Sequence, residues 1–245
     1  MEFGEFVAYL VLSLAMLNAI VLILATKRAK VSQQYMGFAI LFFSSFLFFQ
    51  HLEVASAWLP ALTYLLMLCV GPFFYFFIRN TLVGSKRNSY LDLLHFIPFI
   101  LSAIPIVLLF AGEELSGFVL SFPQPMEGAA PGRSVFLFAG SIELLLCSLL
   151  IYFFLGLRLL LYLPPINIHF SEQRKLKRWL IRISWLFGFL LVLFTLSQDY
   201  VGWFAEQKDL LINQGMPVVL LVLSVAMHFR PSLIYGFDFG EQSET

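Results

Sequence analysis

Seven apolar runs of membrane-crossing length follow one another along this 245-residue chain, at roughly 4–26, 35–57, 59–79, 92–112, 134–160, 179–203 and 209–229. That succession leaves few architectures open. A helix needs about 20 apolar residues to cross the hydrocarbon core. Backbone groups in lipid must satisfy one another, so such runs fold as helices. A soluble fold would also need a polar coat, and only 12% of the residues are charged, about half the share in ordinary globular domains. The expected fold is all-α: a polytopic seven-helix transmembrane bundle over 1–230, followed by a short polar tail over 231–245. The first run follows Glu2 and Glu5 instead of a basic segment and has no small-x-small cleavage site before Lys27. It therefore reads as a membrane helix and not as a secretory signal.

The basic residues fall on alternate connections. Lys27, Arg28 and Lys30 lie in the first, Arg79, Lys86 and Arg87 at the third, Arg158 and the cluster from Arg174 to Arg182 at the fifth, and Arg230 after the last run. The opposite connections hold only Arg133 and Lys208, among acids that include Glu113, Glu114, Glu127, Glu206 and Asp209. Basic loops stay in the cytoplasm, so the expected orientation is N-terminus outside and C-terminus cytoplasmic. The long connection 113–133, with Pro123, Pro125 and Pro131, is expected to be irregular or to hold a short interfacial helix.

Several function classes find no residues to support them. The formal net charge is zero, which offers no general attraction for nucleic acid. Cys69 and Cys147 each sit inside an apolar run, where a thiol behaves as a small apolar group, so neither a disulfide nor a metal site is expected. No Gly-rich phosphate loop, nucleophile elbow or His-Glu-x-x-His motif occurs. Residues 210–229 contain no lysine for a retinal Schiff base. The chain is expected to be no enzyme and to carry no cofactor.

In a membrane the polar residues are the informative ones, because an ionisable group at mid-bilayer costs roughly 3 kcal/mol. Glu143 lies about nine residues into the fifth run. It reads either as a ligand, proton or cation site facing the bundle interior, or as a carboxylate hydrogen-bonded to a neighbouring helix for packing. Gln50, His51 and Glu53 cluster at the outer end of the second run, and Gln198 and Asp199 at the outer end of the sixth. With Asn213 and Gln214 they are candidates to line one outward-facing ligand pocket, the alternative being groups placed among lipid headgroups. Asn18 serves as interhelical glue or as a further pocket contact.

A second constellation lies toward the cytoplasm. Gly71-Pro72 interrupts the third run, and a proline there removes a backbone hydrogen bond and kinks a helix. Such a kink is either static packing or a hinge. Arg79 ends that run, and Asp92 and His95, one turn apart, open the next, so Arg79 is within reach of either. This trio reads as an interface anchor or as a coupling switch.

These same residues carry a resemblance. The stretch Gly71-Pro72-Phe-Phe-Tyr75-Phe-Phe-Ile-Arg79, then about a dozen mostly polar residues, then Asp92-Leu-Leu-His95-Phe96-Ile97-Pro98-Phe99 resembles the membrane part of bacterial regulators that join a multi-helix sensor domain to an AraC-type helix-turn-helix domain. Arg230-Pro231-Ser-Leu-Ile-Tyr235-Gly236 is similar to that family's exit from its last helix. The resemblance implies a bacterial inner-membrane sensor that binds a small ligand from outside and signals to a cytoplasmic regulatory protein or helix-turn-helix domain. That family continues with a linker and two helix-turn-helix units, whereas this chain stops at Thr245, so direct nucleic-acid binding by these residues is not expected. The rival expectation is a small-solute transporter or channel subunit, which needs a continuous polar path through the bundle.

Overall fold

The computed structural model describes residues 3–24, 31–51, 58–83, 90–111, 142–162, 170–197 and 211–228. Among these the chain is entirely helical and contains no strand. In chain order the elements are α1 (Phe3–Leu24), α2 (Val31–His51), α3 (Trp58–Leu68) and α4 (Val70–Val83). A 3₁₀ turn (Tyr90–Phe96) then leads into α5 (Ile97–Ala111), followed by α6 (Ile142–Tyr162) and α7 (Phe170–Leu196). A π-helical turn (Leu211–Gly215) opens into α8 (Met216–His228). Four stretches are long and apolar enough to cross a membrane: Gly4–Leu24, Ala61–Leu82, Ile142–Tyr162 and Arg174–Leu196. Asp92–Ile104 and Met216–His228 are apolar but shorter.

Two helix boundaries differ from the apolar runs for one reason: hydropathy marks where lipid is tolerated, not where a helix starts. α7 begins at Phe170, nine residues before its apolar run, because Arg and Lys are good helix formers and extend the helix past the apolar part. α2 begins at Val31, where Ser32-Gln33-Gln34 are helical though polar. The expected continuations over 52–57 and 198–203, and the long connection 113–133, lie outside the described residues.

The helices close into a ring. α1 packs on α2, α2 on α4, α4 on α6, α6 on α7, α7 on α8, and α8 back on α1. The broken pair α3–α4 fills a single position in this ring, since α3 also packs on α2 and α6. α5 packs chiefly against α3, outside the ring. Its exposed Ile97, Ile100, Leu101 and Ile104 face away from the bundle.

Apolar pattern cannot orient a helix that is apolar on every side, so side-chain size and hydroxyl chemistry do it instead. The buried stripe of α1 is Ala8, Leu12, Ala15, Ala19 and Leu22, three small residues and two large ones at helical spacing. Small residues let backbones approach in a membrane. A Cβ at Gly37 of α2 would lie 3.1 Å from the Ala19 carbonyl oxygen and 2.8 Å from Ile23 Cγ1. Asn18 Nδ2 donates to Ser224 Oγ at 3.4 Å, joining α1 to α8, which gives Asn18 its place as interhelical glue. Ser45, Thr81 and Thr195 turn their hydroxyls onto carbonyls four residues back, so these hydroxyls are paired within their own helices.

Aromatic rings fill the centre. Phe74 of α4 stacks on Phe187 of α7 with centroids 4.0 Å apart and planes 9° from parallel. Phe77 meets Trp179 edge to face, and Phe43 and Phe46 of α2 both meet Phe194. Phe43, Phe74, Phe77, Phe187 and Phe194 are fully buried. Truncating a large buried aromatic costs about 3–5 kcal/mol. Phe74→Ala should therefore cost about that much in an unfolding titration in micelles, against roughly 0.5 kcal/mol or less for Leu17→Ala on the exposed face of α1. Equal losses would refute the central role of the α4–α7 stack.

Candidate functional site

The break between α3 and α4 sets the geometry of the site. Cys69 N–H donates to the Leu66 carbonyl, three residues back, and Phe73 N–H donates to the Cys69 carbonyl, four back. The helix tightens at Cys69 and then resumes. Pro72 has no N–H to offer the Leu68 carbonyl, and it stands in the first turn of α4, where a missing donor is tolerated. The interruption expected at Gly71-Pro72 is present, centred on Cys69. Gly71 has a packing role as well. A Cβ there would lie 3.0 and 3.1 Å from Cδ2 and Cβ of Tyr152 and 3.4 Å from the Ser148 carbonyl oxygen of α6.

With α4 held this way, its C-terminal turn meets the 3₁₀ turn. Residues three apart eclipse in a 3₁₀ helix, so Asp92 and His95 share the face turned to α4. Arg79 makes a two-pronged ion pair with Asp92: Nη1 donates to Oδ1 at 2.5 Å and Nη2 to Oδ2 at 2.9 Å. The two side chains are only 23% and 17% exposed. Arg79 Nε also donates to Asn80 Oδ1 at 3.3 Å, and its guanidinium lies 4.7 Å from the centre of the Phe76 ring, one turn back. Planar pairing and stacking on an aromatic face both suit arginine and not lysine.

His95 sits in an aromatic box. Its ring centre lies 5.0 Å from Tyr75, 5.2 Å from Phe76 and 5.6 Å from Tyr152. Tyr152 of α6 donates its hydroxyl to the His95 carbonyl at 2.7 Å. Phe96 packs on Phe73 and Phe76, and Tyr35 of α2 covers the same two rings. Arg79, Asp92, His95 and the Gly71-Pro72 pair thus converge on one corner, built by α2, α4, α6 and the 3₁₀ turn. Tyr152 and Tyr35 join it although no motif marks them. Tyr35 stands at the polar start of its apolar run, whereas Tyr152 lies mid-run among apolar neighbours and carries no signal in sequence.

The outer candidates fare differently. Gln50 is exposed in the last turn of α2. His51 and Asn213 lie on helical backbone, in α2 and in the π turn, while Glu53, Gln198 and Asp199 fall outside the described residues. Gln214 lies next to α1, with Nε2 3.6 Å from a Cβ built at Gly4. Glu143 is exposed on α6, and it acts electrostatically on Tyr64 of α3.

Buried polar atoms also line the interior without partners: both amide atoms of Gln33, Asn80 Nδ2, and the hydroxyls of Ser44, Ser148 and Ser184. Sequence reading did not single these out, because Ser, Asn and Gln in apolar runs are common as packing residues. In comparisons with known proteins, the chain matches no family model, no curated protein and no solved structure.

Breaking the Arg79–Asp92 pair leaves one charge half-buried, at a cost of about 1–3 kcal/mol. Arg79→Gln and Asp92→Asn should each destabilise the chain by that amount. The double variant should lose less than the sum of the two, giving a coupling of about 1 kcal/mol or more in a double-mutant cycle. Additive losses would mean that the pair is not coupled.

Proposed function

We propose that this chain is a sensor or receptor-like module of the bacterial inner membrane, spanning it seven times with the N-terminus outside and the C-terminus in the cytoplasm. A small ligand acting at the outer end biases the α3–α4 break, and the corner at Arg79, Asp92 and His95 passes the change to a cytoplasmic regulatory partner, such as a helix-turn-helix protein. The observation that carries this reading is the two-pronged Arg79–Asp92 pair. It ties α5, which otherwise packs chiefly on α3 outside the ring, to the end of the interrupted helix.

Further support comes from the coincidence of that corner with the residues resembling the membrane part of AraC-type regulators. The alternation of basic and acidic connections supports the orientation. A ligand moves such a device only if it binds the two arrangements of the corner with different affinity. The absence of catalytic motifs from the sequence favours signalling over catalysis. The alternative of a small-solute transporter or channel subunit draws on the unpartnered interior atoms of Gln33, Ser44, Asn80 and Ser184. The stacked rings at the centre of the bundle stand against a continuous polar path.

Three measurements test the proposal. A cysteine at position 117 should react with an impermeant thiol reagent added to intact cells, and one at position 85 should not; the reverse pattern overturns the orientation. Pro72→Ala and Arg79→Gln should each shift transcription of a discrete gene set in the host several-fold. Vesicles holding the parent chain should pass small solutes no faster than lipid alone. Unchanged transcription together with measurable flux would replace the sensor with the transporter.

A further inference from the structure

Two arginines occupy faces that ought to belong to lipid. The exposed stripe of α6 runs Cys147, Ile151, Phe154, Arg158, Tyr162, and that of α7 runs Arg174, Arg178, Arg182, Trp185, Phe189. Arg158 therefore lies between Phe154 and Tyr162, which are 60% and 79% exposed, and Arg182 is followed by Trp185 and Phe189, 73% and 53% exposed. A solvated basic face would not be interleaved with large exposed aromatics in this way. Among the described residues neither arginine makes an ion pair or hydrogen bond.

Residues 158 and 182 also stand at one level along α6 and α7. A Cβ at Gly188 would lie 2.8 Å from Phe153 Cζ, and the Phe153 and Phe187 ring centres are 6.4 Å apart, so residue 153 stands opposite 187–188. Lys177 Nζ donates to the Leu161 carbonyl at 3.2 Å, closing the other end of the same antiparallel register. Stepping five residues on from Phe153 reaches Arg158, and stepping five back from Phe187 reaches Arg182. Each step is about 7.5 Å of helical rise. Arg178 lies one turn nearer the end of the bundle, level with Tyr162. Phe154, Trp185 and Phe189 thus lie on one side of this level, and Tyr162, Arg174, Lys175 and Arg178 on the other.

We propose that Arg158 and Arg182, with Arg178 beside them, form a girdle that binds the phosphate headgroups of anionic phospholipids. An arginine fork matches phosphate oxygens, and Phe154, Trp185 and Phe189 offer the adjoining acyl chain an apolar and aromatic surface, as interfacial belts do. A soluble anion or an acidic protein would use the guanidiniums and leave those rings uncovered, so the combined stripe selects a molecule that is anionic at one end and apolar beyond it. The inference rests on the chain being a membrane protein. It is independent of which way the chain faces and of any signalling role.

The test uses the full chain in vesicles of equimolar phosphatidylglycerol and phosphatidylcholine, then extracted for native mass spectrometry of retained lipids. The parent should float with the vesicles and retain phosphatidylglycerol in preference. Arg158→Gln/Arg182→Gln should lose that preference by about 30-fold, the combined effect of two basic residues at a charged membrane surface. Arg174→Gln/Lys175→Gln, which removes the same net charge beyond the girdle, should keep most of it. If the Gln pair fails to insert, Arg158→Gln and Arg182→Gln are measured singly, each expected to give about half the logarithmic loss.

Equal losses in the two double variants would reduce the effect to net charge and overturn the proposal. Displacement of phosphatidylglycerol by inorganic phosphate would reassign the residues to a soluble anion, and displacement by polyglutamate to an acidic protein. Either result overturns the lipid assignment. Failure of the parent to float would instead refute the membrane reading itself.

Discussion

The approach of α4 to α6 at Gly71 is the contact on which the other arrangements depend. With only hydrogen on its Cα, Gly71 lets the first turn of α4 settle against Tyr152 and Ser148. Tyr152 is thereby placed to hold the His95 carbonyl, and Phe74, one turn along, is placed over Phe187. Gly156 repeats the device one turn further along α6. A Cβ there would come within 3.0 Å of Ile78 Cδ1. In lipid no hydrophobic gain drives helices together, so such close approaches and the dispersion contacts they permit hold the bundle.

That contact explains why the helix is broken where it is. An unbroken helix from Trp58 to Val83 would carry one axis through the whole span. The tightened turn at Cys69 and the missing donor of Pro72 interrupt the helix, while α3 and α4 both still pack on α2 and α6. α4 is then free to follow α6 and α7, while α3 receives α5. The 3₁₀ turn leading into α5 pairs with the end of α4 through Asp92, and its His95 carbonyl accepts from Tyr152 of α6. The most loosely held helix of the described set is therefore joined through a charged, aromatic-lined corner to the most tightly held one.

The interior and the periphery divide the work differently from a pore-forming bundle. Rings of α2, α4 and α7 occupy the centre, and the buried hydroxyls mostly turn back onto their own helices or remain unpaired. On the outside, α6 and α7 present arginines level with one another between aromatic and apolar faces. The central stack fixes the spacing of the helices.

The all-helical class and the presence of membrane-length apolar helices were legible because hydropathy is a property of single residues summed along a run. So was the corner: Gly71-Pro72, Arg79, Asp92 and His95 are unusual residues for apolar segments, and each costs something to place there. The exposure of Glu143 on α6 was not legible in the same way, because a helix apolar on every side does not say which face an acid takes. The sequence alone settled that this chain is helical, suited to lipid, and marked by a few expensive side chains. The tertiary structure decided the rest: the ring order, the exclusion of α5 from it, the seating of Gly71 on Tyr152, and the shared level of Arg158 and Arg182. These are relations between helices, and a helix apolar on every face has no hydrophobic stripe by which its sequence says which side turns inward.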